Sequence, residues 1–236
     1  MPDRKLDIAR VKALIFDVDG TLSDSDDRMV ERAFELLRFL SPLLDEEKIQ
    51  RFSRKLIHAA EGPGNWLLEM ADRAGLDHLV ARFFDWRESS RERQAHHFPV
   101  IPGILPMLQL LSGRYPFSIV TARNELTTFQ FLNLNALLDF FPIVISSQTC
   151  RHTKPFPDPL LRAAEEMGVS IENCLMIGDT ITDVRAARAA GAQSLSVLCG
   201  FGTEKELRKA GTHAVISSTS LLATYLSAAS LGQPED

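Results

Sequence analysis

Apolar and polar positions change their spacing twice along this chain. The run over residues 11–16 is broken only by Lys12 and ends in Asp17-Val18-Asp19-Gly20-Thr21. A short β-rich run closed by acids and glycine predicts a buried strand feeding a loop. From there to about residue 98 the apolar positions take a helical period. Met29, Ala33, Leu36, Leu37 and Leu40 recur at that spacing until Pro42 stops the helix. A second helix is expected over 45–60, with acids in its first turn. The cluster Gly62-Pro63-Gly64-Asn65 then marks a turn, and helices are expected over 66–74 and 77–94. No strand is predicted in this block.

Beyond Pro99 short apolar runs alternate with helical stretches. Strands are predicted over 117–120, 143–145, 174–177, 194–198 and 214–216, with helices over 102–111, 125–133, 158–167 and 183–190. Parallel strands need crossover connections, usually helices, and short apolar strands between such helices indicate a sheet covered on both faces. The predicted class is α/β, a doubly wound Rossmann-like parallel sheet with an inserted all-helical domain. The expected division is a core from residues 1–22 and 99–236, interrupted by an insertion over 23–98.

The composition narrows the function classes. The chain has 236 residues, 45% apolar and 24% charged, which excludes a largely disordered chain. Its net charge is −5, without a Lys/Arg-rich block, which argues against a nucleic-acid groove or an anionic membrane surface. Cys150, Cys174 and Cys199 form no CxxC or Cys/His spacing, so neither a disulfide framework nor a structural zinc site is expected. The N-terminal residues carry no signal-peptide stretch, and no apolar run is long enough to span a bilayer. A cytoplasmic enzyme fits these limits.

Ligands of open α/β sheets bind beyond the carboxyl ends of the strands. Those positions hold Asp17 and Asp19 after the first strand and Thr121 after the second. Lys154 follows the third, and Asp179 with Asp183 follow the fourth. Four carboxylates would meet one ammonium and one hydroxyl in one crevice. Carboxylates so close repel unless a cation intervenes, and hard oxygen ligands suit Mg²⁺. This set fits phosphoryl transfer better than acyl transfer. Taken singly, each group has a plainer reading: a strand-ending Asp-Gly turn, a helix cap at Thr121, a solvated Lys154, or caps at Asp179 and Asp183.

Asp17-x-Asp19-Gly20-Thr21, Thr121, Lys154-Pro155 and Gly178-Asp179-x-x-x-Asp183 together resemble the four ordered motifs of the haloacid dehalogenase superfamily. The insertion resembles the helical C1 cap of its phosphoglycolate-phosphatase-like members. The resemblance implies a Mg²⁺-dependent phosphatase acting on a small phosphomonoester, with phosphoglycolate the first candidate. Asp17 would be the nucleophile that forms an aspartyl-phosphate, and Asp19 the general acid and base. Mg²⁺ would be held by Asp17, the Asp19 carbonyl and Asp179, with Asp183 direct or through water. Thr121 and the adjacent Ala122 and Arg123 would hold phosphate oxygens, while Lys154 neutralises charge.

Taken by itself, Arg123 reads first as an exposed surface arginine, ahead of a phosphate contact. A phosphomutase keeps the same motifs and stays open, as does a noncatalytic phosphate-binding or signalling domain. Receiver domains, however, are about half this length and lack the insertion. A dehalogenase is disfavoured because that branch lacks the acid at Asp19. The expected partner is a small phosphorylated metabolite rather than nucleic acid or membrane, bound by a monomer or homodimer. His58, His96-His97, Trp66, Trp86 and Phe83-Phe84 read as surface or packing residues. The turn at 61–65 is a candidate substrate-selecting loop, and Gly200-Phe201-Gly202 reads first as a plain turn, with a place bordering the site as the alternative.

Overall fold

The computed structural model describes residues 5–24 and 99–231. The chain divides into two compact units, Met1–Asp24 with Phe98–Asp236, and Ser25–His97. The expected helical insertion, its turn at 61–65, and His58, Trp66, Phe83, Phe84, Trp86, His96 and His97 lie outside the described residues.

Six strands form one sheet: β1 (Ala13–Phe16), β2 (Phe117–Val120), β3 (Ile143–Ile145), β4 (Cys174–Gly178), β5 (Gln193–Val197) and β6 (Ala214–Ile216). Their order is β3-β2-β1-β4-β5-β6, and every neighbouring pair is parallel. β1, β2, β4 and β5 are buried at every position, as expected for a sheet covered on both faces. Successive side chains of a strand point to opposite faces, and β1 divides accordingly. Leu14 and Phe16 join one core, while Ala13 and Ile15 join the other.

The first core receives Ile104, Met107, Leu108 and Leu111 from α1 (Ile104–Leu111), Phe131 from α2 (Glu125–Leu134), and Leu222 and Leu226 from the C-terminal helix Leu222–Leu231. At its centre the Phe16 ring meets Phe117 and Phe141 edge-on, at 5.6 and 5.7 Å between centroids. Such pairs add about 0.5–1.5 kcal/mol to what burial supplies. The second core receives Leu160, Ala163 and Ala164 from α3 (Asp158–Met167), and Ala186 and Ala187 from α4 (Ile181–Ala190). Small residues on α4 let that helix lie close against β4 and β5.

Several boundaries differ from the sequence reading, each for a visible reason. β1 starts at Ala13 because Val11 closes a short 3₁₀ turn, its N–H donating to Ile8 O at 3.0 Å. β4 runs on to Gly178, which pairs with Ser196 of β5. α4 starts at Ile181, two residues before the expected 183, because Thr180 supplies its N-cap. Two helices absent from the sequence reading follow β5 and β6: α5 (Glu204–Ala210) and the C-terminal α6 (Leu222–Leu231). No helix among the described residues is long and apolar enough to cross a membrane.

Candidate active site

The strand order reverses about β1, and the crevice at the carboxyl ends of β1, β2 and β4 is where such a sheet accepts ligands. Asp17 prolongs the ladder past β1, its N–H donating to Ile177 O at 3.0 Å. Asp179 stands directly after β4. Lys154 comes from the loop between β3 and α3, and its Nζ lies 2.9 Å from Asp17 Oδ1 and 2.7 Å from Asp183 Oδ1. All three side chains are nearly inaccessible to water: Lys154 is 5% exposed, Asp17 10% and Asp183 2%.

One oxygen from each of Asp17, Asp179 and Asp183 gathers within 4.8 Å of the others. Asp179 is oriented at both oxygens. Thr21 Oγ1 donates to Oδ1 at 3.1 Å and the Phe201 N–H donates to Oδ2 at 2.9 Å. Asp183 divides its work: Oδ1 faces Lys154, while Oδ2 accepts from the Thr180 N–H at 3.0 Å and Thr180 Oγ1 at 2.6 Å. It therefore caps α4 and serves the cluster at once.

Glycine makes this density of carboxylates sterically possible. Gly20 has φ +68°, and a Cβ there would stand 2.7 Å from Asp179 Cγ. At Gly200 it would stand 2.6 Å from Asp179 Cβ, far inside van der Waals contact.

Asp17, Asp179 and Asp183 bring three buried carboxylates together beside the buried ammonium of Lys154. Burial pushes the Asp17 carboxyl up to about 7, with Lys154 opposing the shift and Asp183 and Asp19 adding to it. Burial also works against the Lys154 charge, but the facing Asp17 and Asp183 carboxylates outweigh it and its pKa is raised. Buried carboxylate oxygens gathered this closely are the donor set that Mg²⁺ takes, so the residues present fit that ion.

Thr121, after β2, continues the sheet through its N–H to Ile145 O at 2.9 Å, and its Oγ1 accepts from the Arg123 N–H at 3.1 Å. Ala122 is exposed. Arg123 is not a surface residue: it is 7% exposed, and its Nε donates to Asp19 Oδ2 at 2.7 Å while its second nitrogen meets Asp19 Oδ1. Burial disfavours the guanidinium charge, yet Asp19 more than compensates and the Arg123 pKa is raised.

The structure thus joins Asp17, Lys154, Asp179 and Asp183 in one cluster and ties Asp19 to Arg123. Two contributors carried no separate role in the sequence reading: the Thr21 hydroxyl and the Phe201 amide. Thr21 lies inside the first motif, and the Gly-x-Gly at the end of a strand was the available signal for Phe201.

The family model for haloacid dehalogenase-like hydrolases matches residues 14–197. Among curated relatives, the phosphoglycolate phosphatase of Nitrosococcus oceani is 32% identical over 92% of this chain and 96% of its own. That of Chromobacterium violaceum is 30% identical over 86% of this chain and 91% of its own. A hydrolase from Pseudomonas syringae superposes with a TM-score of 0.71 at 29% identity, covering 91% of this chain and 97% of that one.

Proposed function

The chain belongs to the haloacid dehalogenase-like hydrolase family, and on that premise we propose that it is a Mg²⁺-dependent phosphatase of a small phosphorylated metabolite. The observation that carries this reading is the gathering of Asp17, Asp179 and Asp183 oxygens within 4.8 Å, beside a buried Lys154. Phosphoglycolate is the first substrate to test, because relatives at 30–32% identity bear the name phosphoglycolate phosphatase. The division into a core of residues 1–22 and 99–236 with an inserted helical cap over 23–98 belongs to the same reading. So do a cytoplasmic location and a small-molecule partner rather than nucleic acid or membrane.

Asp17 attacks phosphorus through a carboxylate oxygen, and the bond from phosphorus to the leaving oxygen breaks. Asp19 gives its proton to that oxygen as the alcohol departs. Asp19, now a carboxylate, then takes a proton from water, whose oxygen attacks phosphorus. The Asp17–phosphorus bond breaks, inorganic phosphate leaves and the Asp17 carboxylate is restored. Thr121 and the Ala122 region hold the transferring oxygens, and Lys154 lowers the negative charge between Asp17 and the phosphoryl group. Asp17, Asp179 and Asp183 would hold Mg²⁺, which offsets the repulsion between an anionic nucleophile and an anionic substrate.

The test is release of inorganic phosphate from a panel of small phosphomonoesters, with kcat/KM compared with and without Mg²⁺. Hydrolysis of one or a few members in Mg²⁺ alone is the expected result. Equal rates in excess chelator, or no phosphate released from any ester, would overturn the proposal.

A further inference from the structure

We propose that Arg123 is a positioning residue that fixes where the Asp19 carboxylate meets the leaving oxygen and the attacking water. The proposal rests on the reading of Asp19 as acid and base, and adds a role for a residue outside the four motifs.

The geometry is that of a clamp built from the inside. Arg123 is 7% exposed, whereas Asp19 is 36% exposed, so the guanidinium is buried and the carboxylate opens outward. The Arg123 backbone is held on both sides: its N–H donates to Thr121 Oγ1 at 3.1 Å, and its carbonyl accepts from the Ser147 N–H at 2.9 Å. The guanidinium carbon lies 5.2 Å from the centroid of the Phe131 ring, and Phe131 is fully buried on α2. With one face on that ring, the guanidinium presents its N–H edge to Asp19, through Nε at 2.7 Å and through the second nitrogen.

A planar fork meeting a carboxylate at two points fixes position and rotation together, which a single ammonium cannot do. Each carboxylate oxygen has more than one lone pair, so an oxygen engaged by the fork can still carry the transferable proton or accept one from water. Proton transfer demands one placement of the carboxylate, and the fork defines one. Thr121 belongs to the phosphate site and touches the Arg123 backbone, so the same loop would set both the phosphate oxygens and the acid that serves the leaving group.

Leaving-group dependence tests this directly. Protonation matters greatly for an alkyl phosphomonoester and little for p-nitrophenyl phosphate, whose phenolate leaves unaided. Arg123→Met and Arg123→Lys would be compared with Asp19→Ala in the full chain with Mg²⁺. For Arg123→Met, kcat/KM for the alkyl ester is expected to fall about 100-fold, and the ratio of p-nitrophenyl to alkyl kcat/KM to rise about 30-fold or more. The water step also needs Asp19, so a burst of nitrophenolate should precede a slower steady state.

Arg123→Lys keeps the buried charge without the fork, and should show the same shift to a smaller extent. Equal losses on both esters would assign Arg123 to phosphate binding or to stability, and would overturn the clamp. An unchanged ratio in both Arg123 variants, with Asp19→Ala shifted, would do the same while leaving the acid assignment standing. If Asp19→Ala itself shows no shift, the acid assignment falls and the clamp falls with it.

Discussion

The backbone N–H of Phe201 donates to Asp179 Oδ2 at 2.9 Å, across 22 positions of sequence. Gly200, immediately before it, has no room for a side chain, since a Cβ would lie 2.6 Å from Asp179 Cβ. Gly200→Ala must therefore displace either the amide or the carboxylate. The Mg²⁺ concentration giving half-maximal activity is expected to rise about 10- to 100-fold, the usual cost of losing a group that orients a metal ligand. A Mg²⁺ titration of activity checks this; an unshifted midpoint would remove the Gly200 loop from the site.

Asp17→Asn removes the carboxylate proposed to attack phosphorus while keeping its shape. Turnover of p-nitrophenyl phosphate is expected to fall by at least about 10³-fold, because the other carboxylate beside Lys154, that of Asp183, is tied to Lys154 through one oxygen and to Thr180 through the other. Circular dichroism should be unchanged. Activity within about tenfold of the original would sink the nucleophile assignment.

Metal binding should also appear as stability. A ligand at about 100 times its dissociation constant stabilises the folded state by about 2.7 kcal/mol, so Mg²⁺ should raise the melting temperature by several degrees over the chelated protein. Asp179→Asn is expected to lose most of that increment. Differential scanning in EDTA and in Mg²⁺ makes the comparison, and an equal Mg²⁺ increment in both proteins would contradict the proposed ligand set.

Cys174 lies at the start of β4 with no accessible surface, and burial pushes its thiol up to about 11. A raised thiol pKa means less of the reactive thiolate at any lower pH, so raising the pH from 7 to 9 should leave Cys174 unlabelled in the native protein. The partly exposed Cys150 and Cys199 should be modified before it. Peptide mapping after alkylation, with and without denaturant, checks the order. Native labelling of Cys174 as fast as Cys150 would show that β4 opens readily.

How far the sequence foretold this arrangement depends on whether the cause was local. The spans 117–120, 143–145, 158–167 and 214–216 match their observed elements, because each is a compact run with its own periodicity or turn signals. The predicted strand begins at Ser194 and leaves Gln193 outside, whereas β5 includes it. Gln193 is buried because its amide makes two bonds to the Asp7 backbone, at 2.7 and 2.8 Å, 186 positions away. No local pattern reports such a pairing.

The same division runs through the site. Asp17, Asp19, Lys154, Asp179 and Asp183 could be picked out because each stands at a predicted strand end. The Arg123–Asp19 pair spans 104 positions, and only the strand order brings its two loops together. Thr180 and Asp183 were closer to legible, since a threonine followed three residues later by an acid is the sequence form of a helix cap.

The place of β1 between β2 and β4 has a consequence for how the protein comes into being during synthesis. Asp17, at the carboxyl end of β1, is synthesised well before the strand and loop that supply Asp179 and its amide donor. Until residues 174–177 arrive, β1 has one edge without its native neighbour, and such an edge invites pairing with other chains. Long-range pairings of this kind also form slowly. Hydrolytic competence would then arrive in a single late event rather than by degrees. A nascent or truncated chain stopping short of β4 would be inert, and in need of protection, rather than a weaker version of the enzyme.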